Sequence, residues 1–256
     1  MRTERIEVDS ERIAFLQTEA EGGVPVVFVH GAGGTKDLWR AQMRALDSEL
    51  PAVALDLPSH GESSGEPIDS IEGYVELFVR FLDALGCDEA IVCGHSMGGA
   101  TAQMFALSHT DRARALVLVA TGARLRVAPV IFELLERDVE GFYRLFREWG
   151  FGPNAKDAVV ESAIELLRAC HPGVVAGDFR ACDRFDMMDE VRNISVPVLV
   201  VGAEHDALTP PKYSRYLADS IPDARLELID DSGHMIPLEQ PSALAKLIGD
   251  FARSVR

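Results

Sequence analysis

Solid runs of apolar residues, each about as long as one β-strand, recur along this chain and limit how it can fold. Residues 24–30 (VPVVFVH) form such a run, which is typical of a strand that is buried on both faces. Segments with helical spacing separate the runs: residues 70–85 place Ile71, Phe78 and Leu82 on one face, and the pattern stops at Gly86. The predicted strands are residues 5–8, 12–18, 24–30, 52–57, 90–94, 114–121, 196–201 and 225–229, and the helices that alternate with them are residues 37–46, 70–85, 98–108, 211–220 and 242–254.

These repeated strand–helix units predict an α/β fold with a mostly parallel, eight-stranded twisted sheet flanked by helices and opened by a hairpin. Residues 122–191 interrupt the alternation, because they contain no convincing strand and their prolines and glycines divide helix-spaced apolar residues into several short helices. We therefore predict a first core segment at 1–121, a helical cap at 122–191 inserted after the sixth strand, and a second core segment at 192–256. A cap is expected over the carboxyl ends of the strands, where open α/β sheets bind ligands; a second small domain unrelated to the site is the alternative.

The net charge of −16, from 25 basic and 41 acidic residues, disfavours nucleic acid and anionic membranes as partners because like charges repel. No apolar run is long enough for a transmembrane helix, and no apolar signal-peptide segment follows the charged residues 1–5 (MRTER). The four cysteines have neither C-x-x-C nor metal-ligand spacing, which predicts free thiols in a cytoplasmic compartment and no metal site. The sequence does not indicate an oligomeric state.

The segment Gly94-His95-Ser96-Met97-Gly98 follows a predicted strand and opens a predicted helix. This is the context that a G-x-S-x-G nucleophile turn requires. The turn is too tight for side chains at the flanking positions, so glycines lie there, and the serine is forced into a strained conformation with its hydroxyl exposed above the sheet. Ser96 is therefore the predicted nucleophile.

A serine hydroxyl is a weak nucleophile at neutral pH and requires a base within hydrogen-bond reach. Of the seven histidines, His234 is the best candidate, because it lies on the loop between the last predicted strand and the last predicted helix. Asp206, which follows the strand at 196–201, is the predicted acceptor that orients the base, in the chain order Ser, Asp, His. Glu204 is the alternative acid.

The other histidines are not expected to act as the base. His30 and His95 adjoin the candidate site in sequence and are expected to be structural. His60 lies on a polar loop, and His109 and His171 lie in polar contexts at helix ends, where solvation is expected.

The tetrahedral intermediate of acyl transfer requires backbone N–H donors aimed at its oxyanion. The N–H of Met97 is one candidate, since it directly follows the nucleophile at the positive end of a helix. The glycine-rich loop at 30–34 (HGAGG) would supply the second donor, with Ala32 as the best candidate. The loop lacks the third glycine of G-x-G-x-x-G and the G-K-[ST] of a phosphate-binding loop, which excludes both nucleotide interpretations.

Together these motifs resemble the α/β-hydrolase superfamily, and most closely its small capped esterases, enol-lactonases and monoacylglycerol-lipase-like members. The resemblance covers nearly the whole chain outside 122–191, and its marks are HGAGG at 30–34, DLPSHGES at 56–63, GHSMGG at 94–99, DALTP at 206–210 and SGHMIPLEQP at 232–241. It implies a triad of Ser96, Asp206 and His234, with the N–H groups of Ala32 and Met97 as the oxyanion hole.

The chain departs from the family pattern at two places. Where the family often has D-x-R-G-x-G-x-S, this chain has Pro58 and Ser59 instead of Arg and Gly, which is expected to alter a supporting loop and not the chemistry. The spacing from Gly202 to Asp206 is one residue longer than the common form, which keeps Glu204 open as the acid. A serine nucleophile argues against the haloalkane dehalogenases and epoxide hydrolases of this fold, which use aspartate.

The predicted function is hydrolysis of a carboxylic ester or lactone through an acyl-serine, with no metal or organic cofactor. A small, neutral, mostly apolar substrate is expected, because the predicted cap is apolar. The cap residues expected to contact it are Ile131, Leu134, Leu135, Phe142 and Phe146. Other reactions on the same residues stay open, namely perhydrolysis of the cofactor-free haloperoxidase type, C–C bond hydrolysis and monoacylglycerol lipolysis, and so does a less favoured role as a non-enzymatic ligand receptor.

Overall fold

The structure, a computed structural model, describes residues 1–255 of the chain. Its strands are β1 (Arg2–Val8), β2 (Glu11–Gln17), β3 (Val26–Val29), β4 (Ala52–Leu55), β5 (Ala90–His95), β6 (Ala113–Val119), β7 (Val198–Ala203) and β8 (Ala224–Ile229). They form one sheet in the order β1-β2-β4-β3-β5-β6-β7-β8. β2 pairs antiparallel with β1 and β4, and every other neighbouring pair is parallel. The predicted fold class, a mostly parallel eight-stranded sheet opened by a hairpin, is thereby confirmed.

Helices cover both faces of this sheet. They are α1 (Arg40–Leu46), α2 (Ile71–Ala84), α3 (Met97–Ser108), α4 (Pro129–Arg137), α5 (Val139–Trp149), α6 (Asp157–Ala169), α7 (Pro172–Arg184), α8 (Pro211–Ser220), α9 (Ile236–Glu239) and α10 (Pro241–Ser254). Helices α1 and α10 pack on one face, and α2, α3 and α8 pack on the other. None of the helices within residues 1–255 has the length and hydrophobicity that a membrane crossing requires.

The central strand β3 shows why the solid apolar run at its position predicted a strand. Val26 and Phe28 pack into the hydrophobic core on the α1 and α10 face, whereas Val27 and Val29 pack into the core on the opposite face. Because successive side chains of a strand point to opposite faces, a strand covered on both sides needs apolar residues at every position.

Four helices, α4 to α7, lie between β6 and β7; we call them the insertion helices. Pro129 and Pro172 occupy the first positions of α4 and α7, where a missing backbone N–H costs no helical hydrogen bond. The insertion helices have a hydrophobic core of their own, separate from the two cores of the sheet. Met235 and Leu238, which come from the sheet side of the molecule, pack against this third core.

Candidate active site

Ser96 occupies a strained turn between β5 and α3. Its backbone has φ 52° and ψ −114°, in the region that residues with a side chain rarely adopt. A Cβ on Gly94 would lie 2.1 Å from the carbonyl oxygen of Gly98, and a Cβ on Gly98 would lie 2.3 Å from that of Val29. The close backbone contacts therefore require glycine on both sides of the serine, and they place Ser96 at the N-terminus of α3.

His234 and Asp206 are brought together from loops that follow β8 and β7. Both residues are buried, and His234 Nδ1 lies 2.9 Å from Asp206 Oδ2. The same carboxylate accepts hydrogen bonds from the N–H groups of Leu208 and Thr209 and from the Thr209 hydroxyl. Burial raises the pKa of Asp206, but the charge of His234 and these hydrogen bonds outweigh it and hold the pKa below its ordinary value. An ionised carboxylate can only accept, so Nδ1 carries the hydrogen and Nε2 of His234 is left as the proton acceptor.

Ser96 and His234 line the same cavity, together with Thr209. Within residues 1–255 no hydrogen bond joins the Ser96 hydroxyl to the His234 ring. Such contacts are often long before substrate binds and shorten in the reacting complex, so the arrangement is compatible with proton transfer between the two side chains.

The alternative acid lies elsewhere. The side chain of Glu204 is 39% exposed and pairs with Arg215 over 3.3 Å. A solvated carboxylate that is already paired on the surface is not placed to orient a buried imidazole, whereas Asp206 contacts His234 directly. The geometry therefore favours Asp206 over Glu204.

The two backbone N–H groups predicted to bind an oxyanion lie near Ser96. Ala32 lies on the loop between β3 and α1 and lines the cavity, and Met97 is the first residue of α3. Among residues 1–255, no acceptor takes a hydrogen bond from the N–H of Ala32 or Met97. The loop itself is closed by a hydrogen bond from the Gly34 N–H to the Gly31 carbonyl, 3.0 Å long. The Ala32 N–H lies in the cavity wall, whereas Met97 is fully buried behind Ser96 and does not line the cavity. An N–H in a cavity wall and an N–H in the first turn of a helix are both suited to bind a negatively charged oxygen.

The cavity has a volume of about 370 Å³, within the range of small-molecule sites, and apolar side chains form most of its wall. Of the five insertion residues predicted to contact substrate, Ile131 and Phe146 line it. Leu135 and Phe142 are buried in the core of the insertion helices, and Leu134 is half-buried against that core. None of these three residues lines the cavity that contains Ser96, so their contact with substrate stays a prediction.

Further apolar residues of the cavity wall were not singled out from the sequence; they include Leu125, Trp149, Leu166, Leu167, Phe179, Leu208, Met235 and Leu238. A signal existed for Trp149, which follows Phe142 and Phe146 at helical spacing on α5. The side chain of Arg126, a lining residue, is 58% exposed and lies 3.7 Å from Asp186. The wall around Ser96 is therefore mainly apolar, with this guanidinium directed largely to solvent.

His30 and His60 pack against each other beside this site, with ring centroids 4.9 Å apart. Burial, followed by the charge of His60, lowers the pKa of His30 to about 3, so that ring is neutral. His60, expected on a polar loop, is instead buried, because Asp178 of α7 covers it and lies 2.9 Å from its Nε2.

Comparisons with known proteins show which proteins this chain is similar to. The chain matches the model of a family described as the alpha/beta hydrolase family over residues 26–247. It is 28% identical over 247 residues to a pimeloyl-[acyl-carrier protein] methyl ester esterase of Neisseria meningitidis serogroup C, covering 90% of this chain and 94% of that protein. A solved thermophilic esterase has a TM-score of 0.88 and 31% identity, covering 99% of this chain and 98% of its own. Est816, solved as an N-acyl homoserine lactone degrading enzyme, has a TM-score of 0.86 and 26% identity, covering 97% of this chain and 100% of its own.

Proposed function

Because the chain belongs to the α/β-hydrolase family, we propose that it is a serine hydrolase that cleaves a carboxylic ester or lactone through an acyl-serine intermediate. The 2.9 Å hydrogen bond between His234 Nδ1 and Asp206 Oδ2, in the cavity that Ser96 also lines, carries this proposal. It supplies what a serine hydroxyl lacks, namely a buried base with a fixed tautomer. The ester-cleaving relatives support the same chemistry.

In the first half-reaction, Ser96 Oγ attacks the substrate carbonyl carbon while His234 Nε2 takes the hydroxyl proton. The carbonyl oxygen becomes an oxyanion, which the N–H groups of Ala32 and Met97 stabilise. When the tetrahedral intermediate collapses, the carbon–oxygen bond to the alcohol breaks, and His234 returns its proton to the leaving alkoxide. Ser96 is left acylated; with a lactone, the released hydroxyl stays on the same molecule.

In the second half-reaction, His234 Nε2 takes a proton from water, and the water oxygen attacks the acyl carbon. The bond between that carbon and Ser96 Oγ breaks, and the serine regains a proton from His234. Asp206 keeps its charge throughout, because its role is to orient the imidazole and to stabilise the imidazolium.

We propose a small, neutral and mostly apolar substrate, since Ile131, Phe146 and Trp149 present apolar surface to the cavity. The net charge of −16 adds a weak repulsion against anionic substrates. We further propose that residues 122–191 act as a cap, because the insertion helices supply part of the cavity wall above Ser96. Water is thereby restricted at the reacting carbonyl, which strengthens the interactions of the oxyanion with its donors.

Labelling with a fluorophosphonate probe, combined with assays on short p-nitrophenyl esters and simple lactones, tests the proposal. The probe is expected to modify Ser96, and turnover is expected in the ordinary enzymatic range of roughly 1–1000 per second on a good substrate. Ser96→Ala should abolish both labelling and turnover. Ser108→Ala is the matched control, because Ser108 lies on the same helix but is exposed and outside the cavity.

Labelling at another serine, or full ester turnover by Ser96→Ala, would contradict the proposal. The same panel, extended to monoacylglycerols and to acetate with hydrogen peroxide, separates ester hydrolysis from lipolysis and perhydrolysis. Absence of turnover on every substrate would favour a ligand receptor.

A further inference from the structure

A carboxylate from the insertion helices reaches the loop that carries Ala32. Asp178, on α7, is fully buried, and its Oδ2 accepts a 2.7 Å hydrogen bond from the Gly33 N–H. The same oxygen lies 2.9 Å from His60 Nε2, and the Tyr74 hydroxyl donates to the other oxygen, Oδ1. One side chain of the insertion thus joins three separate segments of the core.

The hydrogen-bond partners and the raised pKa of His60 together favour a buried ion pair of His60 and Asp178. His60 Nδ1 lies 2.9 Å from the carbonyl oxygen of Pro58, and a carbonyl can only accept. Its Nε2 faces a carboxylate that accepts from Gly33 and Tyr74, so both ring nitrogens carry hydrogen. Burial lowers the pKa of His60, but the hydrogen bond to Asp178 and its charge outweigh burial and raise the pKa to about 10.

A buried ion pair is weak support for stability by itself, because desolvation of both charges opposes their attraction. The loss of one partner, however, leaves a buried charge uncompensated. The pair therefore strongly favours the one arrangement of α7 and the core loops in which both charges are satisfied. In some proteins, such a pair contributes mainly by fixing one arrangement of the segments that it joins.

Gly33 connects the pair of His60 and Asp178 to the candidate oxyanion hole, because it binds Asp178 and directly follows Ala32. Its φ of +63° lies in the left-handed region, and a Cβ there would lie 2.5 Å from Leu167 Cδ1 of α6. The loop is thus pressed against the insertion helices and held by a charge-assisted hydrogen bond from them. The next residue back along the chain is Ala32, whose N–H is one of the two candidate oxyanion donors.

We infer that Asp178 is a positioning residue: through Gly33 it holds the Ala32 N–H where the oxyanion of the reaction develops. The inference rests on the proposed function and deepens it, since it makes the insertion part of the catalytic geometry as well as a wall. A donor displaced by a fraction of an ångström binds substrate nearly as before, yet stabilises the transition state less.

Asp178→Asn tests this, because it keeps the shape of the side chain and removes its charge. We expect kcat on a p-nitrophenyl ester to fall by about 10- to 100-fold while KM stays within about twofold. Inhibition by a trifluoromethyl ketone, which mimics the tetrahedral intermediate, should weaken by a similar factor. Tyr74→Phe is the matched control: it removes the hydroxyl shared by Asp178 Oδ1 and the Ile68 carbonyl and leaves Gly33 and His60 on Oδ2, so kcat should stay within about twofold of wild type.

Thermal midpoints of both variants separate positioning from folding. An unchanged kcat in Asp178→Asn, or an equal loss of kcat in Tyr74→Phe at an equal drop in midpoint, would overturn the inference. If Asp178→Asn does not fold, the double variant Asp178→Asn/His60→Gln removes both buried charges together, and the same fall in kcat and in inhibitor affinity is expected of it. Failure of the proposed function is recognised separately, as turnover that survives Ser96→Ala.

Discussion

The ring of His95, the residue before the candidate nucleophile, donates its Nε2–H to the main-chain carbonyl oxygen of His234 over 2.9 Å. The two rings also pack together, with centroids 4.8 Å apart. The nucleophile turn and the loop of the candidate base are therefore joined by a direct hydrogen bond that does not involve Ser96. Burial, followed by the charge of His234, lowers the pKa of His95 to about 3, so the ring is neutral in the folded protein.

This neutral ring predicts a loss of stability in acid. Between about pH 6.5 and about pH 3 the unfolded chain binds a proton at His95 that the folded chain does not, so the free energy of unfolding falls as the pH is lowered through this window. His95→Gln keeps a side-chain N–H donor and does not titrate. Urea unfolding at about pH 7 and about pH 5 should therefore show a smaller loss in the variant than in the wild type. Equal losses in both proteins would show that His95 is not the group responsible.

Substitution of the acid should impair catalysis far more than folding. Asp206→Asn removes the charge that fixes the His234 tautomer, and kcat/KM for an ester should fall by about 10⁴-fold. Glu204→Gln is the matched control on the same loop, since its exposed side chain pairs only with Arg215 among residues 1–255. Steady-state assays should find the control within about twofold of wild type; the reverse ranking would assign the acid to Glu204.

Ser59 should carry measurable backbone strain. Its φ is +63°, at the position where the family pattern often has glycine, and its hydroxyl donates to the Gly65 carbonyl over 2.7 Å. Ser59→Gly and Ser59→Ala both lose this hydrogen bond, but only glycine adopts the left-handed region without strain. Urea unfolding should therefore find the glycine variant more stable than the alanine variant by about 1 kcal/mol. Equal stabilities would show that the loop relaxes around the alanine.

Substitutions at two residues one turn apart on α4 should differ in their effect on substrate specificity. Both Ile131 and Leu135 are buried in the core of the insertion helices, but only Ile131 also lines the cavity. Ile131→Ala should change the relative KM values across a series of p-nitrophenyl esters of increasing acyl length. Leu135→Ala should lower the free energy of unfolding by about 2–5 kcal/mol and leave those relative values unchanged. A change in acyl preference in the Leu135 variant would mean that the core of the insertion helices also shapes the cavity.

The strands were predictable from sequence because burial on two faces leaves a continuous apolar run. The run at 24–30 contains β3 (Val26–Val29), and only its ends were overestimated, since Pro25 and His30 lie where the pairing stops. The turn at Ser96 was predictable because its glycines are required by backbone contacts between residues close in sequence. Both features depend on residues close together in sequence, so a short segment is enough to predict each of them.

The partners of His60 could not be predicted in the same way. Asp178 lies 118 residues further along the chain, and nothing near either residue indicates the other. Helical spacing identified the apolar faces of the insertion helices, but it did not separate Phe146, which lines the cavity, from Phe142, which is buried in their core. Such distinctions depend on how helices dock, which periodicity does not encode.

The insertion also contacts the core at the loop of the candidate base. Glu239 of α9 accepts a 2.7 Å hydrogen bond from the Gly152 N–H of the insertion and a 3.0 Å hydrogen bond from the Gly233 N–H, next to His234. Burial raises the pKa of Glu239 above its ordinary value. Asp178 is thus a carboxylate of the insertion that binds the core, and Glu239 is a carboxylate of the core that binds the insertion.

We expect these two sets of contacts to limit how the protein can be recombined with its relatives. A chimera that grafts a foreign segment in place of residues 122–191 would bring no carboxylate for His60 unless the donor sequence supplies one at the place of Asp178. Active hybrids should therefore be those whose donor and recipient agree at this pair, whatever their overall similarity. A chimera that is meant to exchange substrate preference then needs a residue 178 that fits His60, as well as a pocket of the right shape.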